Sequence, residues 1–449
     1  MADTKSTLMT EGSVWKKMVA FAIPVFIGQL FQQLYNTADS LIVGNFSGST
    51  ALAAVSSSGN LIFLITGFFG GVSMGAGVVI ANYIGARDRE RTQTAVHTFI
   101  SLSLVAGVIL MLIGIFGAPI ILRWLDTPEE VMPLSVRYFR IYFAGSLGFV
   151  MYNTFLGILQ AAGDSKHPLY YLIISSVTNI VLDLALVAGF GFGVGAAAFA
   201  TAVSQFLSAI LCMFRLLRIE EDYRFIPSKL CMDGPTVRKI IKYGIPSGLQ
   251  NSIIGFANAI VQSYINYFGA AAMAGHGAYS KIEGFAFLPI TCFTMALTTF
   301  IGQNIGAKKT DRVKKGALFG TACSVILAAA MGLLMYAFAP VVIRAFDSNP
   351  EAIAFGVDRM RTCSLFYCFL AFSHAMAAMF RGHGRANVPM FIMLICWCVI
   401  RVTILAVSGM INRTIMTVNW VYPITWMCST CVFIVYFLVF FRKHMGEAA

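Results

Sequence analysis

Two aspartates set in long apolar stretches are the residues most able to do chemistry in this chain. They are Asp39 and Asp183, and Asn179 lies four residues before Asp183, so that both project from one face of a helix. Carboxylates within the hydrocarbon layer are costly and usually serve ion or proton pathways. Carboxylate, amide and hydroxyl oxygens suit a hard cation such as Na⁺. The same carboxylates, desolvated and close together, could carry a proton instead, so the residue types leave H⁺ and Na⁺ both open.

The first apolar segment carries a polar stripe that includes Asp39. Its members recur at helical spacing and therefore share one face: Gln29, Gln32, Gln33, Asn36, Asp39 and Ser40. Such a face is too polar for lipid, so it is predicted to face a cavity or the interior of a bundle. The amides could equally serve as contacts between helices. Pro24 precedes the stripe and removes one helical hydrogen bond, which predicts a kink or hinge.

Further polar residues of the first half are predicted to converge on the same pocket. They are Tyr152, Asn153, Gln160, Thr201, Ser204, Gln205 and Ser208. The second half has an amide face with Asn251, Asn258 and Gln262 but no acid on that segment. Glu283 is interpreted there as half of a structural ion pair with Lys281 or Arg401, since charges within the membrane usually pair with one another.

The elements that position these residues must cross a membrane. Hydrophobic residues make up 58% of the chain and charged residues only 12%, about half the charge of an average soluble domain. Long uncharged stretches predict twelve transmembrane helices. Most of the 32 Lys and Arg fall in the amino terminus, the tail and the loops after even-numbered spans. This bias predicts that both termini are cytoplasmic, and the net charge of +12 is then no sign of nucleic-acid binding.

The chain also repeats itself. Gly85-Ala86-Arg87 recurs as Gly306-Ala307-Lys308, and Ile23-Pro24 recurs as Ile245-Pro246 at the same spacing to within one position. Internal duplication is typical of secondary transporters. Six helices per copy place the two halves in the same orientation, so we expect a bundle over 1–217, a cytoplasmic linker over 218–238 and a second bundle over 239–449. The acids are not repeated, because Val261 and Ile404 occupy the equivalent positions.

No catalytic constellation is present. The sequence holds no Walker A, H-E-x-x-H or G-x-S-x-G motif. The ten cysteines do not form the framework of a small secreted domain, and Cys428-x-x-Cys431 falls inside an apolar helix. We therefore expect a protein that is not an enzyme and has no cofactor beyond a coupling ion.

These residues together resemble the multidrug and toxic compound extrusion (MATE) family over nearly the whole chain. The likeness is carried by Pro24, the segment Gln33-Leu34-Tyr35-Asn36-Thr37-Ala38-Asp39, the two Gly-Ala-Arg/Lys loops and Gly163 to Pro168. Asp39, Asn179, Asp183 and Thr201 look like the cation site in the amino lobe of the DinF-like branch. Another branch of the family carries acids in the seventh and tenth spans. Here the predicted seventh span, 237–267, has no acid, and Asp358 lies only at the outer end of the predicted tenth span, 354–380, so the resemblance does not extend to a cation site in the second lobe.

The resemblance implies an all-α membrane protein whose two parallel six-helix bundles rock about a central cleft while the first helix bends at Pro24. It implies an H⁺- or Na⁺-coupled antiporter in the plasma membrane that exports small organic, often cationic, compounds and works as a monomer. The expected cleft residues are Gln33, Tyr35, Asn36, Asn153, Asn258, Gln262 and Glu283.

Two alternatives remain at this point. A lipid-linked sugar flippase of the same wider superfamily would need a cationic cavity for a pyrophosphate, whereas the central acids favour cation handling. A membrane receptor or membrane enzyme would not need a duplicated frame with acids in one half.

Overall fold

The computed structural model describes residues 7–47, 49–124, 127, 129–411 and 413–441, and every regular element in these ranges is a helix. The first half contains α1 (Val14–Ser47), α2 (Ser49–Ala86), α3 (Arg89–Trp124), α4 (Met132–Ala144), α5 (Ser146–Ala161), α6 (Lys166–Asp183) and α7 (Val194–Arg218). The second half contains α8 (Gly234–Asn266), α9 (Ala270–Ala286), α10 (Leu288–Gly306), α11 (Thr310–Arg344), α12 (Pro350–Ser364), α13 (Tyr367–Gly382), α14 (Asn387–Met393), α15 (Arg401–Ile411) and α16 (Ile415–Tyr436). Short π-helical stretches follow α6, α14 and α16.

These helices account for the twelve predicted spans. Within the described ranges, nine helical segments are long and apolar enough to cross a membrane, and the bent pairs α4–α5 and α12–α13 raise the number to 11. The bends are 44° and 54°. The remaining predicted span is α8, which has 33 residues. It does not pass the same test of composition because side chains such as Gln250, Asn251 and Asn258 lower its mean hydropathy.

The duplication seen in the sequence is also a duplication of structure. One constant offset relates the first residues of α3, α5, α6 and α7 to the first residues of α11, α13, α14 and α16 respectively. Arg87 and Lys308, at equivalent positions in the repeated loops, both have φ of 56°. Non-glycine residues rarely adopt this left-handed conformation, so the two loops share a backbone path as well as a motif.

The described chain forms two compact units whose bounds differ from the predicted halves. One unit is built on Ile27–Gly244, and the other combines Leu8–Phe26 with the chain from Ile245 onward. The beginning of α1, as far as Phe26, therefore packs with the second unit, and the beginning of α8 packs with the first. Pro24 and Pro246 lie close to the two crossings.

Hydrogen bonds fix the segment before α1 to the second unit and the beginning of α8 to the first unit. Arg312 on α11 donates to the carbonyl oxygens of Met9 and Gly12 at 2.9 and 2.6 Å, and Lys309 donates to that of Thr10 at 2.9 Å. In the other unit, the Lys239 ammonium at the beginning of α8 donates to the Tyr83 hydroxyl at 2.9 Å. Charged donors make these bonds stronger than neutral ones.

The linker before α8 is hydrogen-bonded to α3. The backbone N–H of Ile226 donates to His97 Nε2 at 2.9 Å, while His97 Nδ1 bonds the carbonyl of Gln93 at 2.7 Å. Asp233 then caps α8 by accepting the backbone N–H of Thr236 at 2.9 Å. The bonds from Thr236 lower the pKa of the Asp233 carboxyl, because they favour its charged form.

Candidate functional site

The candidate site of the first unit begins with the two aspartates that the sequence singled out. Asp39 lies on α1 and Asp183 is the last residue of α6, and their carboxyl groups lie within hydrogen-bonding reach of one another. The Asp183 side chain is completely buried and Asn179, one turn earlier, is 1% exposed. The fold therefore joins two acids from distant parts of the chain in a dry place.

Several polar atoms of this site have no hydrogen-bond partner among the described residues. Both carboxylate oxygens of Asp183, Oδ1 of Asp39 and both amide atoms of Asn179 are buried without such a partner. Buried polar groups normally have partners, and exceptions call for an explanation. Two bare carboxylates also repel each other at this range. A shared proton or a bound cation would remove both costs, so the arrangement suits either.

Beside this pair lies a small polar cavity. Its walls come from α1, α6 and α7 and consist of Tyr35, Leu172, Ser175, Ser176, Asn179, Thr201, Ser204 and Gln205. The free volume is about 10 Å³, roughly what one water molecule needs. The cavity can thus admit a water or a small cation but not an organic substrate. Asn179 connects it to the acid pair, since it lines the cavity and sits one turn from Asp183.

The predicted residue Thr201 is tied to its own helix. Its hydroxyl donates to the carbonyl of Ala197 at 3.0 Å, which leaves the oxygen lone pairs for another group. Thr201 and Asn179 share the cavity, while Asp39 and Asp183 form the neighbouring pair. The structure therefore brings the four predicted coupling residues into one region of the first unit.

Several residues at this site were missed by sequence reasoning. Ser175 and Ser176 on α6 line the cavity, and Tyr138 and Tyr142 on α4 lie close enough to Asp39 to interact with it electrostatically. The two tyrosine rings are stacked with centroids 6.2 Å apart. Their spacing of four residues, one helical turn, was the available signal.

The repeat does not build a second acid pair. Val261, equivalent to Asp39, is completely buried in the hydrophobic core of the second unit, and Ile404, equivalent to Asp183, packs against the same core. Within the described ranges, no group of three or more His, Cys, Asp or Glu side chains is placed to hold a metal ion.

The predicted cleft residues are spread over both units. In the first, Tyr35 lines the small cavity, Gln33 is half-buried, Asn36 is exposed, and the Asn153 amide donates to the carbonyl of Phe149 on its own helix at 2.9 Å. In the second, Gln262 donates to Asn266 at 2.8 Å and Asn258 accepts from Arg401 at 3.1 Å.

Glu283 does not form the ion pair expected of it. Among the described residues, no nitrogen of Lys281 or Arg401 lies within 4.0 Å of its carboxylate; the Tyr279 hydroxyl donates to it instead, at 2.6 Å. Lys281 is two positions away on the same helix and so points to another side. The Arg401 guanidinium is held by Asn258 and Thr425. The ion-pair interpretation of Glu283 was wrong.

Comparison with known proteins agrees with this architecture. The MatE family model matches residues 24–185 and again 246–407. A probable multidrug resistance protein YoeA of Bacillus subtilis is 28% identical over 96% of this chain and 95% of its own. A probable multidrug resistance protein NorM of Thermotoga maritima is 27% identical over 85% and 82%. A solved structure described as the outward-facing conformation of a multidrug resistance MATE family transporter has a TM-score of 0.91 at 24% identity, covering 100% of this chain and 99% of that one.

Proposed function

The chain belongs to the MATE family, and on that premise we propose that it is a secondary active transporter that exports organic compounds in exchange for H⁺ or Na⁺. The family match covers both repeats, and the relatives quoted above bear drug-resistance names. The observation that carries the coupling is the pair of Asp39 and Asp183, in which Oδ1 of Asp39 and both carboxylate oxygens of Asp183 are buried with no donor within the described part of the chain.

The proposed cycle uses the charge of this pair as the switch. One proton or Na⁺ enters from outside and is shared by the two carboxylates, which lowers the charge of the pair from −2 to −1, aided by the oxygens of Asn179 and Thr201. Removing the mutual repulsion changes which arrangement of the helices is favoured. Release of the ion inside restores the charge and the state that binds substrate. One elementary charge crossing 100 mV supplies about 2.3 kcal/mol, enough to bias a two-state equilibrium substantially.

We also propose that the protein works as a monomer in the plasma membrane with both termini in the cytoplasm. The charge bias of the loops supports this orientation. The lipid-linked sugar flippase alternative is not favoured, because the quoted relatives are named for drug resistance. The small cavity of the first unit has room for the ion alone, so the organic substrate binds elsewhere.

The test is export of a fluorescent organic cation from proteoliposomes under an imposed proton gradient or an imposed sodium gradient. Asp39→Asn and Asp183→Asn keep the size of each side chain and remove its titration. Each is expected to reduce gradient-driven export to the background level while substrate binding survives. Asp358→Asn, the same change at an exposed acid of the second unit, is the control and should export normally. If both variants of the pair still export at the wild-type rate, the coupling site lies elsewhere.

A further inference from the structure

The second unit contains a buried group of side chains with the opposite charge to the aspartate pair. We call it the arginine cluster: Arg359, Arg401, Tyr279, Tyr367, Tyr422 and Glu283. Arg359 and Arg401 are 3% and 1% exposed. Their guanidinium carbons lie 4.7 and 4.1 Å from the centroid of the same Tyr422 ring. Two cations thus gather around one aromatic ring, a geometry favoured by the ring's negative face.

The guanidinium groups are held by neutral partners. Arg401 donates to Asn258 and to Thr425, both at 3.1 Å, and Arg359 donates to Asn419 at 3.2 Å. The Nε atom of each arginine is buried without an acceptor in the part of the chain that the structure describes. Neutral amides and hydroxyls position the two groups but do not balance their charge.

The cluster carries more positive than negative charge. Its one carboxylate, Glu283, accepts from Tyr279 at 2.6 Å and forms no ion pair with either arginine among those found for the described residues. Leaving a buried charge unpaired is expensive. An anion that enters between these groups would relieve that cost, and a guanidinium fork matches the two oxygens of a carboxylate.

The repeat supports a binding role for this position. By the spacing of the repeated motifs, Tyr422 is equivalent to Thr201 and Asn258 to Asn36. Arg401, Tyr422 and the Arg401 partner Asn258 therefore lie on the equivalents, in the second unit, of the helices α6, α7 and α1 that form the aspartate site in the first. Asn258 is exposed, so the hydrogen-bonded chain from Arg401 reaches the surface of the unit.

We propose that the arginine cluster binds the carboxylate group of an exported compound. This inference rests on the proposed export function. Arg359 and Arg401 supply the charge-assisted hydrogen bonds, and Tyr422 keeps the two guanidinium groups in position. Glu283 repels the incoming carboxylate and so limits its affinity.

The test uses two dyes that share one cationic ring system, rhodamine 110 with a free carboxylate and its methyl ester, rhodamine 123. Proteoliposome export and binding in detergent, followed by fluorescence polarisation, are measured for both. Arg401→Gln is expected to weaken binding and export of the carboxylate dye by about tenfold and to leave the ester within about twofold. Glu283→Gln should strengthen binding of the carboxylate dye, because the repelling charge is gone.

Arg381→Gln is the matched control, because Arg381 is another buried arginine of the second unit, bonded to Gln250 and outside the cluster. It should affect both dyes alike. Equal losses for both dyes in Arg401→Gln, or no loss for either, would overturn the inference by showing that Arg401 is structural or irrelevant.

A second measurement compares binding of the two dyes to the wild-type protein, so it does not depend on whether a variant folds. Wild-type protein that binds the ester as tightly as the carboxylate dye overturns the inference, while tighter binding of the carboxylate dye supports it. Export of the ester but not of the carboxylate dye counts against the inference alone. Export of neither dye counts against the proposed export function, and the binding comparison then decides the inference by itself.

Discussion

The carboxyl groups of Asp39 and Asp183 face each other within hydrogen-bonding reach, although one lies on α1 and the other at the end of α6. Two ionised carboxylates repel each other at this distance, whereas a proton or cation between them allows both to take part in one favourable interaction. The same positions of the second unit hold Val261 and Ile404 in a hydrophobic core. The duplicated frame therefore carries this chemistry only once.

Replacing Pro24 by Ala should slow export without lowering stability. Alanine restores the N–H that proline lacks and straightens α1 next to the point where it passes from one compact unit to the other. Export from proteoliposomes and the melting temperature in detergent measure the two effects. Pro119→Ala, inside α3 and far in sequence from either crossing, is the matched control. An export rate equal to wild type in Pro24→Ala would show that bending of α1 is not part of the cycle.

Replacing Gly275 by Ala should destabilise the second unit, whereas Gly277→Ala should not. A Cβ at Gly275 would collide with the backbone of α12 at Ala352 and Gly356, while one at Gly277, two residues along the same helix, meets nothing within 4 Å. Overpacking typically costs about 1–3 kcal/mol, and alanine in an open helical position gains up to about 1 kcal/mol over glycine. Melting temperatures of the two variants in detergent give the comparison. Equal melting temperatures would contradict the close approach of α9 and α12.

Replacing Arg312 by Gln should release the segment before α1 from the second unit. The side chain of Arg312 donates to Met9 and Gly12, and the Met9 N–H donates to Gln303 at 2.8 Å. Loss of these charged bonds should speed hydrogen exchange at Met9 by about tenfold or more. Hydrogen exchange read by mass spectrometry is the measurement. Lys315→Gln, an exposed basic residue on the same helix, should leave it unchanged, and the same exchange rate in both variants would argue against the anchor.

A cysteine introduced at Ser228 in a cysteine-free background should react with an impermeant thiol reagent only after cells are opened. Ser228 lies in the segment between α7 and α8, next to Lys229, and the Lys and Arg residues of this segment favour the cytoplasmic side. The background must be cysteine-free because Cys231 is also exposed. Labelling in intact cells would reverse the proposed orientation.

The sequence by itself determined the helical class, the duplication and the acids of the first half. These features follow from local rules: apolar length sets a membrane helix, repeated motifs reveal the duplicated frame, and a carboxylate in an apolar segment stands out by type alone. Asn179 and Asp183 were predictably close because a helix places residues four apart on one face. The likeness to a family then linked Asp39 and Thr201 to them.

Only the tertiary structure decided which side chains meet across helices. Spacing along one helix says nothing about its neighbours, so the partner of Glu283 proved to be Tyr279 rather than a cation. The gathering of Arg359 and Arg401 around Tyr422 joins α12 to the consecutive helices α15 and α16. The exchange of the beginnings of α1 and α8 between the units also depends on packing and on anchors such as Arg312. Such contacts are set by where whole helices pack, and hydropathy and local spacing do not encode that placement.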